Sequence, residues 1–142
     1  MGKTLRALLL VTDVGFLLYW TITLGRVLPA AWLFAGYEDP VVSAWNLSFM
    51  PLDLLVSATG IGAVVLARRC PGSARALLTI SLGATSISGL QAIAFWTLRR
   101  EVDLAWWLPN LFLLLWPLPF LARIVWAGEG PRAGDVSAAS AR

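Results

Sequence analysis

The chain has 142 residues, of which 58% are hydrophobic and 13% charged, with a mean hydropathy of +0.76; a soluble domain of this size needs far more polar residues to cover its surface. It has no histidine and one cysteine, Cys70, which excludes His-based triads, imidazole metal sites, an internal disulfide and a CxxC redox centre. The net charge of +3 does not indicate a nucleic-acid partner, because the arginines stand at the ends of apolar blocks, where they act as topology signals and contacts for anionic lipid.

Four apolar blocks are each long enough to cross a hydrocarbon core of roughly 30 Å, which takes about 20 helical residues. The first span is predicted over 5–28. Lys3 and Arg6 ahead of it imitate a signal peptide, but the apolar stretch is too long for one and carries Asp13, so a retained helix is expected, closed by Pro29. A loop over 30–40 follows, aromatic at its start (Trp32, Phe34, Tyr37) and acidic at its end (Glu38, Asp39).

The second span is predicted over 42–67. Pro51 frees the carbonyl of Leu47 and is expected to kink the helix. Arg68, Arg69, Pro71, Gly72, Ser73 and Arg75 read as a tight basic turn. The third span, 76–98, is rich in small residues (Gly83, Ala84, Ser86, Ser88, Gly89), which suits close approach of a neighbouring helix in lipid. After a charged turn the fourth span runs over 104–125, interrupted by Pro109, Pro117 and Pro119. A Gly/Ala/Ser-rich tail over 128–142 is expected to be disordered. The expected architecture is an all-α transmembrane four-helix bundle over 1–127.

With the N-terminus inside, Lys3, Arg6, Arg68, Arg69, Arg75, Arg123, Arg132 and Arg142 fall on the inner side and Arg26, Arg99 and Arg100 on the outer. Eight against three predicts both termini in the cytoplasm and a multi-pass protein of the plasma (inner) membrane. Trp32, Trp45, Trp96, Trp106 and Trp107 then form an aromatic belt at the outer interface.

Two carboxyls, Asp13 and Asp53, lie inside apolar spans, where a central Asp costs about 2.5–3.5 kcal/mol. No Lys or Arg stands at matching depth, so each is expected to be protonated part of the time or held by hydroxyl, amide or indole donors. At about 1.5 Å per residue, Asp13 comes out roughly 12 Å and Asp53 roughly 14 Å from the inner side of the core. That arithmetic predicts a carboxyl pair at one level.

Other polar residues extend the pattern. Asn46, Met50, Asp53, Ser57 and Gly60 share a helical face, as do Ser81, Thr85, Ser88 and Gln91. Trp106, Asn110, Leu113, Pro117 and Phe120 form a stripe on the fourth span, and Asp13 and Trp20 are two turns apart on the first. The plain structural reading is helix–helix bonding at about 0.6 kcal/mol per bond. It suffices for Asn, Gln and Ser and does not offset two buried carboxylates.

Thr12-Asp13-Val14-Gly15-Phe16 with Tyr19-Trp20, then Asp39-Pro40, Ala44-Trp45-Asn46, Ser48-Phe49 and Pro51-Leu52-Asp53-Leu54, resemble the YvaD-like family of small bacterial four-span membrane proteins, a resemblance that implies topology alone. Val27-Leu28-Pro29, Asp39-Pro40, Trp45, Phe49 and Asp53 look, more faintly, like the EXPERA domain of sterol isomerases and sterol-binding membrane proteins. That likeness implies an apolar ligand in a cavity open to the bilayer, with Asp53 at the position of an acidic residue on the second helix. The histidine important to the isomerases is absent here.

Three functions are therefore expected as alternatives. The first is binding of a hydrophobic small molecule, a lipid or isoprenoid, in an intramembrane cavity. In that reading Asp13 and Asp53 are the catalytic carboxyls if acid-catalysed isomerase or cyclase chemistry occurs. Asn46, Gln91, Asn110, Trp20, Trp116 and Ser57 are its ligand contacts, with no metal and no cofactor. The second is a proton- or ion-coupled transporter or channel component, and the third an accessory subunit of a larger membrane complex. Membrane lipid is a partner in each, and a homodimer suits the second.

Overall fold

The computed structural model describes residues 1–25 and 39–126. The expected Pro29 stop, the 30–38 part of the first loop with Trp32, and the 128–142 tail lie outside the described residues. Within them every regular element is a helix: α1 (Lys3–Leu24), α2 (Pro40–Ser48), α3 (Met50–Leu66), α4 (Pro71–Arg99), α5 (Leu104–Leu115) and α6 (Leu118–Trp126). α2 with α3, and α5 with α6, are broken halves of single spans. The chain thus has four helical stretches long and apolar enough to cross a membrane, Lys3–Leu24, Pro40–Leu66, Pro71–Arg99 and Leu104–Trp126. It is a multi-pass membrane protein.

Local chemistry explains most boundaries. Asp39 caps α2 by accepting from the Val41 amide at 2.8 Å, and Asp103 caps α5 by accepting from the Ala105 amide at 2.9 Å. Pro71 opens α4 at its first turn, where a missing N–H costs nothing. The basic segment expected to be a turn over 68–75 is therefore half helix, and only 67–70 turns. α4 ends at Arg100, whose φ of 57° is left-handed, with the Glu101 amide bonded to the Trp96 carbonyl at 3.1 Å.

The two breaks follow from proline. Ahead of Pro51, the Phe49 amide bonds the Asn46 carbonyl at 3.1 Å instead of the carbonyl four residues back. The Ser48 hydroxyl takes that Trp45 carbonyl at 2.6 Å. In the fourth span Pro117 and Pro119 leave the carbonyls of Leu113 and Leu115 without helical donors. The Leu114 carbonyl accepts from the Ser86 hydroxyl of α4 at 3.1 Å. Pro109 is carried inside α5 without a break.

α3 and α4 form the central pair; α1 and α2 pack on α3, and α5 and α6 on α4. The start of α1, the 67–70 turn and the end of α6 share one end of the bundle, called here the terminal end. Near it, Leu9, Leu82 and Trp116 form one buried cluster, while Trp20, Phe49 and Ala92 form another toward the opposite end. Gly89 permits the α4–α5 contact, since a Cβ there would lie 2.5 Å from the Asn110 carbonyl oxygen and the Leu114 amide nitrogen. Gly83, expected to serve the same purpose, has nothing within 4 Å of its Cβ position.

Of the aromatic residues expected to form a belt at the outer interface, those described pack partly on one another. Trp45 stacks on Phe95 with centroids 3.8 Å apart and meets Trp96 edge-on at 5.8 Å, and Trp96 lies 5.8 Å from Trp106. Trp96 is 2% exposed, so it belongs to the core. Arg99 ties this end together through Glu101 at 3.0 Å and Asp39 at 3.9 Å.

Candidate functional site

Between the two apolar clusters lies a band of buried polar side chains, and the two carboxyls occupy different parts of it. Asp53 sits in the first turn of α3 with both oxygens engaged. The Trp20 indole donates to Oδ2 at 3.0 Å, and the Ser88 hydroxyl donates to Oδ1 at 3.1 Å. One carboxyl thus joins α1, α3 and α4. One turn further, the Ser57 hydroxyl lies 2.9 Å from the Asp53 carbonyl and 3.1 Å from the Asp13 carbonyl. The first is the back-bond usual for helical serine. The second binds α3 to α1.

Asp13 has no exposed surface, and among the described residues neither of its carboxyl oxygens has a hydrogen-bond partner. It packs on Gly60, where a Cβ would overlap the carboxyl. Thr12 Oγ1, Ser81 Oγ and Trp116 Nε1 are likewise buried and unpartnered. They gather close to its level: Ser81 is seven residues before Ser88 as Gly60 is seven after Asp53, and Trp116 packs with Leu9, one turn from Asp13. Four spans contribute to this layer.

The expected carboxyl pair is not formed at one level. Trp20 faces Asp53 and Asp13 faces Gly60, so the two carboxyls stand seven residues apart along antiparallel helices, roughly 10 Å. The depth arithmetic fails for a definite reason. The second span has 27 residues, roughly 40 Å of helix, so counting down from its outer end through a core of about 30 Å places Asp53 too deep.

The remaining candidates divide. Asn46 is buried and its Oδ1 accepts from the Tyr19 hydroxyl at 2.9 Å; Trp20 and Ser57 are bonded as described. Asn110 turns inward on its own helix, donating to the Trp106 carbonyl at 2.8 Å. Gln91 is exposed and does not join the buried stripe. Three residues beyond Ser88 carry it about 60° round the helix, whereas four bring Ala92 within about 40°, and Ala92 is the residue buried there. Ser88 and Gly60 stood in the polar stripes without being singled out. Their signal is position: Gly60 lies three residues beyond Ser57 on the face that carries Asp53, and Ser88 three residues beyond Thr85 on the α4 stripe. Among the described residues no group of three His, Cys, Asp or Glu could hold a metal ion.

Comparison with known proteins places the chain among relatives of the same length class. It is 41% identical over 127 residues to the uncharacterized protein YvaD of Bacillus subtilis (strain 168), covering 89% of this chain and 96% of that one. That match accords with the first resemblance read from the sequence; nothing in the comparisons supports the EXPERA likeness. No solved structure matches. The model of a family of unknown function, DUF5360, matches residues 5–130, and the chain belongs to that family.

Proposed function

We propose that this chain is a proton-linked membrane protein, a carrier or channel component, in which Asp13 exchanges the proton and Asp53 holds the bundle together. The observation that carries the reading is the state of Asp13: fully buried, with neither oxygen hydrogen-bonded among the described residues. An intramembrane carboxyl without a cationic partner is expensive, and such groups mark proton and ion paths. Its surroundings supply hydroxyl and indole groups with unused bonding capacity. Asp53, with an indole and a hydroxyl donor, has the partners of a structural clasp.

Packing supports a small exchanging species over a lipid-soluble ligand held between the carboxyls. Ser57, Val56, Ser81 and Thr85 are each 1% exposed or less, so a bulky molecule would have to part the helices. Isomerase or cyclase chemistry needs both carboxyls about one substrate, and the register gives it no support. Four spans are few to enclose a path, which favours action as a homodimer or within a larger complex. The excess of basic residues on one side supports an orientation with both termini in the cytoplasm, and a bacterial relative supports the plasma membrane as the site of insertion.

The test is proton flux in liposomes holding the purified protein, read by an entrapped pH-sensitive dye, with infrared difference spectra of the carboxyl band. Asp13→Asn should abolish protein-dependent flux and remove a titrating carboxyl signal, while keeping the unfolding midpoint. Asp53→Asn should lower the midpoint and leave flux in the folded fraction. Unchanged flux and spectra in Asp13→Asn would overturn the proposal.

A further inference from the structure

A second feature lies far from the carboxyls, at the terminal end of the bundle. The start of α1, the first turns of α4 and the body of α6 line an open, shallow cavity of about 400 Å³, within the range of roughly 300–1,000 Å³ typical of small-molecule sites. Leu5, Leu78, Phe120 and Ile124 supply apolar lining, and Arg75 and Arg123 supply charge. Arg75 is held in place by donating from Nη2 to the Ile124 carbonyl at 2.8 Å, which leaves its other guanidinium donors available. Both arginines are exposed, and among the described residues neither has an ion-pair partner.

We infer that this cavity binds the phosphate headgroup of an anionic membrane lipid, with Arg75 and Arg123 on the phosphate and the apolar side chains on the first part of an acyl chain. Two arginines at the mouth of an apolar cavity complement an anion joined to hydrocarbon. A free phosphate would match the arginines alone. A zwitterionic lipid would match the apolar lining but bring its own cation. The cavity is too small for a whole lipid, so it takes the headgroup and the first carbons of a chain, and the rest of the lipid lies outside it. Guanidinium groups suit phosphate through paired donors, and basic pockets between helices at a membrane face take anionic headgroups.

The experiment uses the full-length protein in detergent, titrated with phosphatidylglycerol, phosphatidylcholine or inorganic phosphate, with binding read by native mass spectrometry and by the unfolding midpoint. Phosphatidylglycerol should bind and raise the midpoint, and the other two should not. Arg123→Gln, which leaves the Arg75–Ile124 bond intact, should weaken phosphatidylglycerol binding roughly five-fold, and Arg75→Gln with Arg123→Gln should compound the loss. Asp13→Asn should bind phosphatidylglycerol as the parent does, which separates this inference from the proton-exchange reading. Equal binding of phosphatidylcholine, or unchanged phosphatidylglycerol binding in the double variant, overturns the site. Inorganic phosphate competing at millimolar concentration assigns the arginines to a free anion and overturns the lipid.

Discussion

Gly60 and Gly89 both lack room for a side chain, but different neighbours deny it. At Gly60 the obstacle is the Asp13 carboxyl, and at Gly89 it is the backbone of α5. Replacing either by Ala gains about 0.5–1 kcal/mol of helix propensity, against about 1–3 kcal/mol for overpacking a filled interior, so both changes should destabilise. A carboxyl has two torsions and can turn, whereas a helix backbone must shift as a whole. The expected order of unfolding midpoints is therefore parent, then Gly60→Ala, then Gly89→Ala. Gly15→Ala and Gly83→Ala, with nothing within 4 Å of the added carbon, should match or exceed the parent. Combining Gly60→Ala with Asp13→Ala should recover part of the loss, through a coupling of about 0.5–3 kcal/mol in a double-mutant cycle. Strict additivity would show that the two residues do not press on each other.

At the scale of elements, prolines were legible as breaks wherever they follow several helical turns, as Pro51 and Pro117 do, because each removes a donor and crowds the preceding turn. Pro71 was misleading because it follows two arginines and precedes Gly72, the composition of a turn. It stands at the first position of α4, where its fixed φ favours the helix. The stripes on α3 and α4 were legible from period alone up to Ser88 and failed at Gln91, where three residues and four residues lead to different faces. The carboxyls were legible as unusual residues, but their partners were not, since the pairing of Trp20 with Asp53 depends on the register between helices. One helix end carries a removable cost. Arg100 holds a left-handed backbone, which disfavours any residue with a Cβ by about 1–2 kcal/mol. Arg100→Gly should raise the unfolding free energy by roughly 0.5–1 kcal/mol, measurable as a higher midpoint in detergent. A lower midpoint would mean that the arginine side chain stabilises this end by more than its backbone costs.

For the molecule as a whole, four spans followed directly from composition, because only bilayer-length apolar blocks fit this hydropathy. The direction of insertion rests on the basic residues alone, and the chain carries its own probe for it. Cys70 is exposed in the 67–70 turn, at the same end as both described termini. A membrane-impermeant maleimide should leave it unlabelled in intact cells and label it once the membrane is opened. Labelling of intact cells would reverse the orientation. The contact between Asp13 and Gly60 also constrains how such a chain can change over generations. While an aspartate stands at position 13, any enlargement of position 60 costs stability, so the two sites do not drift independently. A lineage that loses the carboxyl can fill the space afterwards without that cost, whereas one that fills it first bears it until the carboxyl is gone. Descent through this pair has a favoured order.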